Sequence, residues 1–290
     1  MRKEESTAYF MITPAVIALI FIVGYPFIMA IYLSMTDAEA GKLESFIGLY
    51  NFVQLARSPL FQTAFKNSLL YTFVTVAVKL PLGLILALIL NKDLKAKKFL
   101  RGIILLPWIT PITISAIGWK WMYDSMYGVI NWMLINLGLI DHGILWLGKP
   151  WLAKVSVMIV NIWRGTPFFA IIILAGLMTI SEDVYDAAKV DGAGTLAKFW
   201  YITLPLLKPV ISFVVLFSTV MTISDYPIVF ILTRGGPLNS THLFSTLAFQ
   251  IGLSTGYLGR GAAISLFIFP FLLLVVYFQL NLMRGKRWEY

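Results

Sequence analysis

The sequence predicts an all-α membrane protein. Six transmembrane helices form a single domain over residues 1–290, with both termini cytoplasmic and a helix–elbow–helix segment on that side between the fourth and fifth. Three observations predict it. The chain is 59% hydrophobic and 13% charged, with mean hydropathy +0.83, whereas ordinary globular chains carry about 25% charged residues. Several apolar runs exceed the roughly 20 residues that a bilayer requires, which excludes one large soluble core. The net charge of +9 is concentrated between those runs and at the termini, the pattern of membrane topology rather than of a nucleic-acid surface. No zinc-finger, RNA-binding or phosphate-loop (G-x-x-x-x-G-K-[ST]) pattern is present. With no cysteine, disulfide and thiolate–metal chemistry are excluded. The two histidines, His142 and His242, fall in expected outer loops and do not make a metal site.

The first span is expected at 8–33. Its 26 residues exceed a signal-peptide core, and Pro14 and Pro26 are expected to kink it. An outer loop follows, then span two at 64–90 with Lys79 near its middle. The basic run Asn91–Arg101 (NKDLKAKKFLR), Arg2-Lys3 and the tail Arg284-Gly285-Lys286-Arg287 place both ends inside. Span three, 102–123, begins with Leu106-Pro107-Trp108 and Pro111, so its inner half is expected to be irregular. Span four, 151–177, contains Trp163-Arg164-Gly165-Thr166-Pro167, where an interrupted helix is expected. Span five follows at 206–232 and span six at 262–283.

Between spans four and five lies the most structured polar stretch, residues 181–205. Ser181 is placed to cap a helix, and Glu182 and Asp183 then meet the positive end of its dipole. Val184, Ala187 and Ala188 share one small face. Asp191-Gly192 breaks the helix, since Gly reaches positive φ without penalty. A second helix is expected from about Thr195 to Ile202, with Leu196, Phe199 and Trp200 on one side. Leu204-Pro205 is expected to end it, because the residue before Pro avoids the helical region. Such a knob suits a groove on another protein; an ordinary amphipathic loop is the plainer reading.

Ionisable residues within spans cost roughly 2.5–3.5 kcal/mol each on insertion scales, so each suggests function. Four stand out: Lys79, Lys120, Arg164 and Asp225. Lys120 lies near an outer interface and is expected to snorkel. Lys79 has no partner legible in the sequence. Ser218, Thr222 and Asp225 fall at i, i+4, i+7 on one helix face, a stripe that both donates and accepts hydrogen bonds and so suits a sugar. The alternative is an Arg164–Asp225 ion pair holding spans together. Trp108 either stacks on a sugar ring or fills space beside Pro107.

Several of these stretches resemble one family. Asp186-Ala187-Ala188, Asp191-Gly192-Ala193, Phe199, Ile202, Leu204-Pro205 and Pro209 look like the EAA loop of ABC importer permeases, with Asp186 standing where Glu is usual. Gly48-Leu49-Tyr50-Asn51-Phe52 resembles a GLxNF motif, and Thr233-Arg234-Gly235-Gly236-Pro237 a TxGGP turn; Gly128-Val129-Ile130-Asn131 is also similar. Across Gly48–Pro237 the chain therefore resembles the maltose-type (MalF-like) permease subunits of binding-protein-dependent sugar importers.

The resemblance implies a subunit of a bacterial or archaeal cytoplasmic (inner) membrane, paired with a homologous MalG-like permease. It also implies a dimeric ABC ATPase inside, and outside a sugar-binding protein that delivers a mono- or oligosaccharide. The chain itself would be no enzyme and bind no cofactor, ATP and Mg residing on the ATPase. By residue match, coupling falls to Asp186, Ala187, Ala188, Asp191, Gly192, Ala193, Phe199 and Pro205. Substrate lining falls to Trp108, Arg164, Gly165, Ser218, Met221, Thr222 and Asp225. Two alternatives stay open: the same machinery carrying a phosphorylated polyol such as glycerol phosphate, and an ion-coupled secondary transporter with Lys79, Arg164 and Asp225 as relay.

Overall fold

The computed structural model describes residues 2–93 and 95–284. The basic tail beyond Arg284, used above for orientation, lies outside the described residues. Among the described residues the regular structure is helical, apart from one isolated antiparallel bridge, Thr36 with Phe46. Helix α1 (Arg2–Leu19) passes through a π-helical turn at Ile20–Gly24 into α2 (Tyr25–Ser34), and α3 (Tyr50–Arg57) precedes the long α4 (Pro59–Asn91). Then come α5 (Lys97–Ile109), α6 (Ile112–Met122), α7 (Val129–Asn136) and α8 (Pro150–Leu177). The chain continues through α9 (Glu182–Val190), α10 (Thr195–Lys198), α11 (Leu204–Ile223) and α12 (Pro227–Leu232). It ends with α13 (Phe244–Phe249) and α14 (Leu258–Arg284).

Five helical runs are long and apolar enough to cross a membrane: Tyr9–Ser34, Pro59–Asn91, Pro150–Leu177, Thr195–Ile223 and Leu258–Asn281. A sixth follows if α5 and α6, which meet at 87°, count as one broken span. This agrees with the sequence in number, but three spans are built differently. In span three the half expected to be irregular is helical through Pro107, and the break falls at Thr110–Pro111, where the following proline holds Thr110 extended at ψ 133. In span four α8 runs unbroken through Arg164–Pro167, with Thr166 and Pro167 buried against neighbouring elements, the setting in which a proline is tolerated inside a spanning helix. Span five is the interrupted one. Pro227 has no N–H for the carbonyl one turn back, so α11 stops at Ile223 and α12 restarts with Pro227 in its first turn, leaving Ser224–Tyr226 outside the helix.

The chain falls into two compact units. One comprises the residues up to Gln62 with Leu247–Pro270; the other comprises Thr63–Thr246 with the residues from Phe271 on. In the first, the most apolar stretch of the Tyr9–Ser34 span buries none of its residues within the chain, as suits a helix that is apolar all round and faces lipid or another subunit. Asn51, the asparagine of the GLYNF stretch, donates from Nδ2 to the carbonyls of Ser34 (3.0 Å) and Thr36 (2.7 Å), closing the end of α2. In the second, α8 is the central element, more than half buried over its span, with α5, α11 and α12 packed on it.

That second unit has two apolar clusters. One gathers Tyr71, Val157, Val160, Ile228, Val229 and Leu232; the other gathers Ala87, Leu90, Phe169, Ile173, Leu207 and Val214. Gly83 permits the second: a Cβ there would stand 3.1 Å from the backbone nitrogen of Ala170, so α4 and α8 approach nearly backbone to backbone. On α8 and on the α11–α12 run, the polar side chains Asn161, Arg164, Ser218, Thr222 and Asp225 lie between the residues that the two clusters take from each. A polar layer is therefore enclosed between two apolar ones.

Candidate functional site

The polar layer surrounds a cavity of about 470 Å³. All seven residues expected to line a path, Trp108, Arg164, Gly165, Ser218, Met221, Thr222 and Asp225, border it. The cavity also takes Lys79 from α4 and Asn161 from α8, which were not among them.

On α4, Tyr71, Thr75 and Lys79 recur at i, i+4, i+8 and all are buried. The Lys79 ammonium donates to Thr222 Oγ1 (3.0 Å) and Ser218 Oγ (3.4 Å), so the hydroxyl stripe of α11 is occupied by a lysine from the facing helix. The lysine without a legible partner thus has two, both neutral. Gly165 makes its position possible. A Cβ on Gly165 would stand 2.9 Å from Lys79 Cδ, 3.0 Å from Cε and 3.2 Å from Nζ, because the lysine stem crosses α8 at that glycine. The absence of a helix break at Gly165 agrees with this: the glycine serves clearance rather than interruption.

Asp225 sits in the gap between α11 and α12. Its Oδ2 accepts from Tyr71 Oη (2.6 Å) and Asn161 Nδ2 (2.9 Å), and its carbonyl accepts from Ser245 Oγ (2.6 Å). These bonds join the gap to α4, α8 and α13. The Arg164–Asp225 pair, the alternative to sugar lining, does not form: among the described residues the ion pairs are Lys42–Glu39, Lys97–Asp93 and Lys189–Asp186. The physical reason is competition within reach. Breaking the helix turns the Asp225 carboxylate toward Tyr71 and Asn161, while Arg164 turns to the cavity wall and donates from Nη2 to the Trp108 carbonyl (3.4 Å). Arg164 Nε has no hydrogen-bond partner among the described residues.

One wall of the cavity is aromatic. Trp108 stacks on Phe168 with centroids 5.6 Å apart and planes at 21°, and Phe168 meets Phe217 at 5.0 Å. Trp108 is 41% exposed, so its ring leans on Phe168 yet keeps one side open. Tyr71 and Asn161 escaped the sequence reading. The available signal was spacing: Tyr71 lies two turns before Lys79, and Asn161 one turn before Gly165 on α8.

The segment between spans four and five is a capped helix followed by an elbow. Ser181 Oγ accepts from the Asp183 N–H, as expected of the cap. Gly192 takes φ +79; its N–H reaches the Lys189 carbonyl (3.0 Å) and that of Ala193 the Ala188 carbonyl (2.8 Å), the paired bonds of a Schellman turn. Asp186 and Ala187 are exposed on α9, where the Asp186 carboxylate pairs with Lys189 at 2.6 Å and raises that ammonium above its ordinary pKa. Past the elbow the structure corrects the sequence. No break occurs at Leu204-Pro205: α10 runs through a π-helical turn, Phe199–Thr203, directly into α11, and Leu204 is helical at φ −66, ψ −42. The extra residue of the π turn gives the Pro205 ring room against the preceding turn. The elbow is thus joined stiffly to span five. Tyr185 Oη and Thr203 Oγ1, 3.0 Å apart, tie α9 to the same turn.

Residues 79–288 match the profile described as binding-protein-dependent transport system inner membrane component. The trehalose/maltose transport system permease protein MalF of Thermococcus litoralis is 35% identical over 98% of this chain and 96% of its own. The sulfoquinovosyl glycerol transport system permease protein SmoG of Agrobacterium fabrum is 34% identical over 98% of this chain and 92% of its own. Among solved structures, a chain of a bacterial alginate ABC transporter, crystallised with an alginate pentasaccharide-bound periplasmic protein, superposes with TM-score 0.84. It is 25% identical and covers 97% of this chain and 95% of its own length.

Proposed function

The chain belongs to the binding-protein-dependent transport system inner membrane components, and from that premise we propose that it is a permease subunit carrying a saccharide across the membrane in an ATP-driven importer. The observation that carries the saccharide reading is the cavity, which pairs an aromatic wall (Trp108, Phe168, Phe217) with a layer of hydroxyl, amide and charged groups. Sugars present apolar ring faces and hydroxyl edges that match such walls. The named relatives are consistent with it, since they transport trehalose or maltose and sulfoquinovosyl glycerol.

The partners follow from the family: a homologous second permease closing the path, a dimeric ATPase holding ATP and Mg, and an extracytoplasmic binding protein. In this reading the chain hydrolyses nothing. The most apolar stretch of the Tyr9–Ser34 span, unburied within the chain, has surface to offer the second permease or lipid. Orientation rests on the basic run at 92–101, which places α9 and its elbow inside. There α9 is the part gripped by the ATPase, and the continuous helix from Thr195 to Ile223 links the elbow to Ser218 and Thr222 at the cavity. A stiff rod transmits displacement where a flexible loop absorbs it. The family assignment removes the ion-coupled secondary transporter.

The test is reconstitution with the partner subunits in liposomes, with ATP on the ATPase side and labelled mono- and disaccharides presented by the binding protein. ATP-dependent accumulation of a saccharide is the expected result. Accumulation of an amino acid or glycerol phosphate, and of no saccharide, would remove the proposal.

A further inference from the structure

We infer that the saccharide carried through this chain is acidic, bearing one univalent acid group, a carboxylate or a sulfonate. The inference rests on the saccharide reading above and adds the charge of the substrate. It is carried by the balance of groups around the cavity. Three charged side chains border the space: Lys79, Arg164 and Asp225. The carboxylate is engaged on Oδ2 by Tyr71 and Asn161, while its buried Oδ1 has no hydrogen-bond partner and pairs with neither cation among the described residues. Neither cation is salt-bridged among the described residues. Lys79, 2% exposed, reaches only two neutral hydroxyls; Arg164 makes one long bond to a carbonyl and keeps a buried Nε donor without a partner.

An ammonium offers three donors and a guanidinium five, so most of this donor capacity is unmatched by acceptors of the protein. A buried cation without a counter-charge is unfavourable, and the lining leaves one positive charge in excess. A ligand with one negative charge restores neutrality. The guanidinium fork suits a planar carboxylate in two-point contact, with the ammonium as a point charge. A phosphate ester, at about −1.5 to −2 near neutral pH, overshoots the balance. The aromatic wall accounts for the remainder of the ligand, a pyranose ring face against Trp108.

Gly165 is evidence that the arrangement is built. It is the position at which the Lys79 stem needs clearance, and any larger residue there displaces the ammonium.

The experiment uses the whole transporter in liposomes with its binding protein. The probes are glucuronosyl-xylose, a sulfonated disaccharide, xylobiose as the neutral counterpart, and glycerol phosphate. The wild-type chain is expected to carry one of the two acidic saccharides in preference to xylobiose. In K79Q and in R164Q the ratio of acidic to neutral uptake should fall roughly ten- to a hundredfold, the size of a lost charge-assisted bond. R164K, which keeps the charge but not the fork, should lower a carboxylate ratio by less than R164Q does. Size-exclusion of the purified complex reports assembly; where one of K79Q and R164Q fails to assemble, the other variant and the wild-type preference carry the test. Preference for xylobiose, or K79Q and R164Q lowering acidic and neutral uptake equally, overturns the inference and leaves the saccharide reading standing. Preference for glycerol phosphate overturns both.

Discussion

Replacing Asp225 by leucine separates the observed geometry from the ion pair that the sequence suggested. In the wild type the Asp225 carboxylate accepts from Tyr71 at 2.6 Å and from Asn161 at 2.9 Å, and all three residues are buried. Leucine leaves two buried donors without an acceptor, at about 1–3 kcal/mol each, so the loss is about 2–6 kcal/mol before relaxation or entry of water. The net must be near the lower end, because removing the carboxylate also removes its own desolvation cost. The assay is thermal melting of the purified complex by intrinsic fluorescence, with a double-mutant cycle for each partner. Asp225→Leu should lower the transition. Adding Tyr71→Phe, which removes one stranded donor, should recover part of the loss, about 1–3 kcal/mol. Adding Arg164→Leu should recover none, since Arg164 bonds the Trp108 carbonyl instead. Recovery with Arg164→Leu and none with Tyr71→Phe would refute the reasoning and restore the ion pair.

Three more outcomes follow from the same geometry. Gly165→Leu should assemble yet lose most uptake, since an added Cβ alone comes within 2.9–3.2 Å of three Lys79 atoms; uptake equal to wild type contradicts this. Gly192→Pro should abolish the stimulation of ATPase by loaded binding protein while basal hydrolysis persists. Proline can neither adopt φ +79 nor donate to the Lys189 carbonyl, and undiminished stimulation counts against the elbow as coupler. Cysteine at Lys97 or Lys189 should resist an impermeant thiol reagent added outside whereas cysteine at Asn239 reacts, in a chain with no native cysteine; outside labelling at Lys97 would reverse the orientation.

The sequence by itself determined the features that depend on composition and local period. Runs of apolar residues longer than the bilayer is thick must be buried in lipid as helices, whatever surrounds them. That is why the spans are legible without tertiary information, the bent third included. The cap at Ser181 and the elbow at Gly192 are local as well: each follows from one side chain or one φ and its immediate neighbours. Arg164, Ser218, Thr222 and Asp225 at the cavity were also legible, because a charge or a hydroxyl in a span is expensive enough to be conspicuous; Asn161 was not.

Which of those groups meet was decided only by the tertiary structure. Proline marks where a helix can break, but packing selects where it does. Pro167 is buried inside an unbroken α8, and a π turn accommodates Pro205; at Pro111 and Pro227 the chain bends or stops. Moving the break from span four to Asp225 changed the partners. The carboxylate turned to Tyr71 and Asn161, and the serine–threonine stripe passed to Lys79, whose partners lie more than 130 residues away in the chain. Pairings at that separation depend on how helices face one another, and a sequence pattern along one helix carries no information about its rotation against the next.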